Sequence, residues 1–132
     1  MADKSIKFEV VTPEVVFSED VESLVVPAAL GYLGVLPGHA PLVTALDIGV
    51  IKYKREGKTR KMAISGGFME VINNKVIVLA DTAEPGDQID LARAEQAKER
   101  ARKRLAERGA DLDVKRAELA LKRAMSRIKA AQ

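Results

Sequence analysis

The 132-residue chain has no cysteine, no tryptophan and a single histidine, His39. Without thiols there is no disulfide scaffold, no sulfur nucleophile and no cysteine zinc site. One imidazole cannot build a multi-histidine metal site. Aromatic residues make up only 4% of the chain, and none follows Phe68, so the C-terminal third has no base-stacking platform. No apolar run reaches the roughly 18 residues of a membrane-spanning helix. Met1 to Lys7 mixes acid and base without an apolar stretch, so the expectation is a cytosolic protein without a signal peptide. A phosphate-loop signature is absent too, since Gly66-Gly67 is not followed by Lys. Ser65 lacks a Gly-x-Ser-x-Gly context, and its one possible imidazole partner, His39, sits in the rigid run Leu36-Pro37-Gly38-His39-Ala40-Pro41. These absences disfavour a hydrolase or isomerase built on His39. The chain does not read as an enzyme acting alone.

What is present divides sharply in two. Hydrophobic residues are 47% and charged residues 31% of the chain, the balance of a folded domain. Residues 1–88 carry 9 Lys/Arg against 12 Asp/Glu, a net of −3, whereas residues 89–132 carry 13 against 7, a net of +6. All five Pro, eight of nine Gly and all five Phe/Tyr lie before residue 89, and eleven Ala lie after it. A β-rich segment is therefore followed by a basic helical one.

In the first segment Ile6, Phe8 and Val10 alternate with Lys7 and Glu9, and Leu24 with Val26 continues the pattern. Further strands are expected at Ile48–Tyr53 and around Met62 and Ile64. Phe68 to Ile72, Asn73-Asn74 and Lys75 to Ala80 read as a tight hairpin, because Asn tolerates the positive φ of the turn. The arms of that hairpin are apolar on both faces, as expected when two sheets pack together. In the second segment good helix formers run from Ile89 to about Arg108, with Asp87 or Asp90 at the start and Gly109 at the stop. A second helix starts at Asp111 or Asp113 and runs to about Ala130. The predicted fold class is α+β: an N-terminal antiparallel β-sandwich of about eight to ten strands, then a C-terminal antiparallel two-helix hairpin. The boundaries are 1–84 for the sandwich, 85–88 for a linker and 89–132 for the hairpin.

Heptad tracks fall on Leu91, Ala94, Lys98, Ala101 and Leu105, and on Val114, Ala117, Leu121, Ala124 and Ile128. Alanine contributes little buried area at about 25 cal/mol per Å², so the hairpin needs a surface to rest on and reads as a low-stability, movable element. At an offset of 23 residues, Ile89-Asp90-x-x-Arg93-Ala94 matches Leu112-Asp113-x-x-Arg116-Ala117. Duplication and convergence on a helical pattern both account for the match. Arg93 and Arg100 align on the first helix, and Arg116, Arg123 and Arg127 on the second. Such rows suit a polyanion, since guanidinium forks bind phosphate bidentately. A solvated basic face is the plainer alternative.

Three stretches resemble the epsilon subunit of bacterial F-type ATP synthases. They are Gly31-Tyr32-Leu33-Gly34-Val35-Leu36-Pro37-Gly38-His39-Ala40-Pro41-Leu42, Ser65-Gly66-Gly67-Phe68-Met69-Glu70-Val71, and Lys115 to Ala124. The resemblance implies a central-stalk rotor subunit, with the sandwich between the gamma subunit and the c-ring. It implies a hairpin that extends along gamma into the alpha/beta catalytic head and inhibits ATP hydrolysis, and a place on the cytoplasmic face of the bacterial plasma membrane through the complex alone. It also implies ATP as a regulatory ligand of the compact form, held at Glu84, Ile89, Asp90, Arg93, Ala94, Arg100, Arg116, Arg123 and Arg127, and leaves open whether Mg²⁺ accompanies it. The competing expectation is a nucleic-acid-binding module using the basic hairpin, against which stand the missing aromatics and the acidic sandwich. No nucleic-acid partner is expected.

Overall fold

The computed structural model describes residues 5–132, so the reading of Met1 to Lys7 lies partly outside the described residues. Eight strands come first: β1 (Ile6–Val11), β2 (Val16–Val21), β3 (Ser23–Ala28), β4 (Gly31–Val35), β5 (Leu42–Arg55), β6 (Lys58–Ile72), β7 (Lys75–Ala80) and β8 (Ala83–Pro85). A 3-10 turn at Gly86–Gln88 leads to α1 (Leu91–Glu107) and α2 (Val114–Ala131). The strands follow the order β2-β1-β7-β6-β5-β3-β4, with β8 added to β6. Phe8 near one end of that order and Val35 at the other share a single apolar core. The sheet therefore folds over on itself into a sandwich.

The long strands β5 and β6 make the fold-over possible. They pair from Leu42 opposite Val71 to Arg55 opposite Lys58, joined by Glu56-Gly57, both at positive φ (52° and 76°). β6 changes partner along its length: Met62–Ile64 pair with β8, and Gly67–Ile72 with β7. Ser65-Gly66-Gly67 is the crossing point, with Gly66 at φ 100° and Gly67 at φ 147°. A Cβ on Gly67 would overlap the Leu79 carbonyl oxygen, so only glycine fits.

Two expectations are corrected. The sandwich is antiparallel except at β1, which runs parallel to β7 from Lys7 opposite Lys75 to Val11 opposite Leu79. Apolar alternation specifies which face a strand buries; it says nothing of the direction of the neighbouring strand. The second apolar face of the Asn73-Asn74 hairpin is also left uncovered, with Phe68 61% and Leu79 54% exposed.

Both helices are capped alike. Asp90 accepts from the Arg93 backbone N–H at 3.1 Å, and Asp113 from that of Arg116 at 3.0 Å. Each aspartate satisfies one of the orphan donors of a helix start. Ala94 and Ala101 of α1 and Ala117 and Ala124 of α2 are buried, while the heptad residue Leu91 stays 40% exposed. At the end of α1, Arg108 adopts the left-handed conformation (φ 38°) in place of the glycine expected there. Its N–H bonds to the Arg104 carbonyl, and its Nε donates to that of Leu105 at 3.2 Å.

Of the two helices, α2 is the one that lies on the sheet. Ala130 packs with Val50 of β5, Ala63 of β6 and Ile89, and Ser126 is buried beside it. Hence Gly49-Val50-Ile51 and Met62-Ala63-Ile64 are unbroken buried runs. Ile51, Met62 and Ile64 fill the sandwich core, and α2 covers the outer neighbours.

Candidate functional site

The docking of α2 rests on a few polar contacts around the alanine seam. The buried Ser126 hydroxyl donates to the Gly49 carbonyl at 2.7 Å. Lys122 Nζ reaches Asp47 Oδ2 at 2.7 Å. Arg127 meets Glu84 on β8: Nη2 donates to Oε2 at 2.9 Å, and Nε lies 2.7 Å from Oε1. The Nε approach is out of line for a hydrogen bond, so that buried nitrogen is held by the ion pair alone. Pro85 holds Glu84 extended, within reach of α2.

The lysine's hydrogen bond, helped by the Ile48 N–H, holds the Asp47 carboxyl below its ordinary value of 3.8. A depressed carboxylate adds stability above its unfolded value and loses it as the pH falls through the folded one. The pair is half exposed, so its contribution is small. Acidification from about pH 5 to about 3 should therefore loosen α2 slightly, read as faster amide exchange of its backbone. Asp47→Asn, already lacking the charge, should show the smaller acid response. Equal responses would place the effect elsewhere.

One cavity opens between hairpin and sheet, and a second adjoins it within the hairpin. The first, about 360 Å³, is walled on the sheet side by Ile64, Ser65, Thr82 and Glu84, and on the helical side by Ala97, Arg123 and Arg127. The second, about 740 Å³, runs between the helices and is lined by Arg100, Arg104, Arg116 and Arg123, with Glu107, Asp111 and Asp113 toward the loop end. Ala97, Ala120 and Arg123 belong to both. Arg123 is thus the common wall.

The structure brings together Glu84, Arg123 and Arg127 in one cavity and Arg100, Arg116 and Arg123 in the other. It does not bring Ile89, Asp90, Arg93 or Ala94 to either wall. Ile89 packs in the Val50–Ala63–Ala130 cluster, Ala94 is fully buried in the helix seam, and Arg93 is exposed. Asp90 commits Oδ1 to the helix cap. The 23-residue repeat has the same geometry twice: an apolar residue before the cap, a capping Asp, an N3 Arg whose N–H is capped, and a buried Ala at N4. These are the positions of a hydrophobic staple around an N-cap.

Sequence reasoning missed Arg104, Ser65 and Thr82 as lining residues. Arg104 carried a signal, since it stands four residues after Arg100 on the same helix face. The hydroxyls carried none, because β6 and β8 meet through pairing distant in sequence.

The ATP synthase Delta/Epsilon chain beta-sandwich domain matches residues 5–86, and the long alpha-helix domain of the same chain matches residues 87–132. The chain belongs to the ATP synthase epsilon-chain family. Among its relatives, an ATP synthase epsilon chain of Pelotomaculum thermopropionicum is 61% identical over 132 residues, covering 99% of this chain and 98% of that one. Another epsilon chain, from Desulforamulus reducens, is 55% identical over 130 residues, 98% of each. Among solved structures, a chain of the Euglena gracilis mitochondrial ATP synthase (OSCP/F1/c-ring, rotational state 1) superposes with TM-score 0.80 at 26% identity, over 100% of this chain and 84% of that one. A chain of the Tetrahymena thermophila mitochondrial ATP synthase central stalk/c-ring shares the fold at TM-score 0.60 and 13% identity, over 98% of each. No helix among the described residues of this epsilon-family chain is long and apolar enough to cross a membrane.

Proposed function

We propose that the chain is the central-stalk rotor subunit of a bacterial F-type ATP synthase. In this reading it couples proton-driven rotation to ATP synthesis and restrains ATP hydrolysis through an ATP-sensitive hairpin. The observation that carries the regulatory part is the arginine cleft. Arg100, Arg116 and Arg123, from two helices, line one cavity, and Arg123 also walls the neighbouring cavity that holds the Glu84–Arg127 pair on the sheet. Like charges gathered in a cleft repel. A phosphate chain removes that cost and accepts bidentate guanidinium bonds. The guanidinium donors of Arg100, Arg104, Arg116 and Arg123 fit such an anion. Asp90 and Arg93 lie at the exposed start of α1, outside both cavity walls, so they act on the site through the cap of that helix. A ligand that binds only the docked hairpin shifts the population toward it.

The chain itself is non-catalytic in this reading. Support for a docking partner comes from the sheet's outer face, where Val16, Val11, Leu79, Phe68 and Ala45 stand opposite one another across five strands. Three of them, Val16, Phe68 and Leu79, are more than half exposed. An apolar row of that width suits a subunit interface, which we assign to gamma. The c-ring meets the opposite region of the sandwich, and the alpha/beta head receives the extended hairpin. Association with the cytoplasmic face of the plasma membrane then comes through the complex.

Calorimetric titration of the full-length chain with ATP, with and without Mg²⁺, tests the nucleotide site. Arg123→Ala should weaken binding about tenfold or more, the value of one charge-assisted contact. Asp90→Asn keeps a cap acceptor and loses the charge, so a loss greater in Asp90→Ala than in Asp90→Asn measures the cap. No binding of the wild type at millimolar ATP would remove nucleotide sensing and leave the family assignment intact.

A further inference from the structure

We infer that the cavity at the edge of the sandwich, between the β1–β2 turn and β8, receives a lysine or arginine side chain of the partner that covers the outer apolar row. The inference rests on the gamma reading above. The cavity holds about 580 Å³, room for one long side chain and part of the segment that carries it. Its lining includes Val10 and Met62, each 1% exposed and part of the sandwich core. Around that apolar floor stand Glu14, Asp81 and Glu84, and none of the lining residues is Lys or Arg. Glu84 is already held by Arg127. Glu14 and Asp81 are exposed and make no ion pair among the described residues. Two unneutralised carboxylates beside an apolar floor suit a cation on a long apolar stem. Its methylenes pack on the floor and its charge stays at the rim, where carboxylates accept its hydrogen bonds.

The position of the cavity points to the same partner. Val16, 72% exposed, lines the cavity and is also the first member of the row Val16, Val11, Leu79, Phe68 and Ala45. A subunit seated on that row therefore reaches the cavity at its edge. The rim is set before the partner arrives. The Thr12 N–H donates to the Val15 carbonyl at 2.8 Å, and Thr12 Oγ1 accepts from the Val15 N–H at 2.9 Å, so Glu14 sits in a closed turn. Less ordering is then left to be done on binding. The charge contact guides approach and fixes register, while the apolar row supplies the buried area.

Full-length wild type, Glu14→Gln, Asp81→Asn, Glu56→Gln and Phe68→Ala should be titrated, at low and at moderate salt, onto the gamma-containing F1 assembly depleted of this subunit. Glu14→Gln and Asp81→Asn are each expected to bind about tenfold more weakly, the loss of one charge-assisted contact. Each should also lose part of the wild type's salt dependence. Both residues are exposed, so their urea midpoints should stay at the wild-type value. Glu56→Gln, which changes an exposed acid of the β5–β6 turn outside the cavity, should bind as wild type. Wild-type affinity in Glu14→Gln and Asp81→Asn beside a loss in Phe68→Ala would overturn the inference and leave the gamma reading standing. A loss in Glu56→Gln equal to theirs would reduce the effect to net charge and overturn it too. Self-association of the free chain that Asp81→Asn abolishes would put a second copy in the cavity, with the same result. Full affinity in Phe68→Ala as well as in the cavity variants would remove the gamma reading along with the inference.

Discussion

Gly86→Ala should release the helical hairpin from the sheet while the sandwich stays folded. Gly86 opens the 3-10 turn between β8 and α1, with the last turn of α2 pressed against it. A Cβ there would overlap the Ala130 carbonyl oxygen and stand 3.3 Å from that of Lys61. Both neighbours are backbone, so no side chain can rotate away. Either the turn or the end of α2 must move, and α2 is held by little: Ala130 in a small apolar cluster, Ser126 on Gly49, the exposed Lys122–Asp47 pair and the half-buried Arg127–Glu84 pair. Overpacking of this kind costs about 1–3 kcal/mol, which lowers the docked-to-released equilibrium constant roughly five- to 150-fold. Amide exchange across α2 should accelerate by that factor while β1 and β7 keep their protection. In the assembled synthase the same variant should inhibit ATP hydrolysis more strongly and respond less to ATP. Gly109→Ala is the control, because its Cβ meets nothing within 4 Å. Unchanged α2 protection in Gly86→Ala would show that the turn absorbs the methyl and is not the latch.

Phe8→Ala should have the opposite reach, unfolding the sandwich with the hairpin's own contacts untouched. Phe8 is 0% exposed and sits between two rings, 5.7 Å from Phe17 and 5.4 Å from Tyr53, with those two 5.9 Å apart. The trio joins the β1–β2 hairpin to β5, more than 20 residues further along the chain. Burial, with Glu19 second, pushes the Tyr53 phenol above its usual range. Truncating a buried Phe costs about 3–5 kcal/mol, against about 5–15 kcal/mol for a whole domain. The urea midpoint should fall by about a fifth of its value or more. Near-wild-type stability would mean that Phe17 and Tyr53 collapse into the space, contrary to the close packing around them.

Local signals in the sequence were read correctly where one residue type answers one local need. Asn73 and Asn74 both take positive φ (50° and 59°), as the hairpin reading required, since Asn pays little for that conformation. Of the paired candidates for helix starts, Asp90 and Asp113 are the caps, for a carboxylate one residue before the first turn reaches the N3 amide. The heptad tracks located the seam at Ala94, Ala101, Ala117 and Ala124. They did not foretell the second buried face of α2, Ser126 and Ala130. A heptad track describes one partner, and α2 has two.

For the arginines the division is sharper. Spacing aligned Arg116 with Arg123 and Arg127 along one helix, but Arg127 turns to Glu84 and Arg123 faces the cleft with Arg100. Helical phase gives the direction of a side chain from its own axis; where the other helix and the sheet stand is a tertiary fact.

By itself the sequence determined the β-then-α order, the turns, the caps and the basic charge of the hairpin, because each follows from backbone conformation or composition within a few residues. Only the tertiary structure decided the parallel β1–β7 pair, the face of α2 that meets the sheet, the cleft around Arg123 and the place of Ser65 in its wall. Those depend on contacts between distant segments, such as Ser126 with Gly49, 77 residues apart. Such contacts form only once the closure entropy of the loops between them is offset by burial, and no local pattern records which of the possible closures wins.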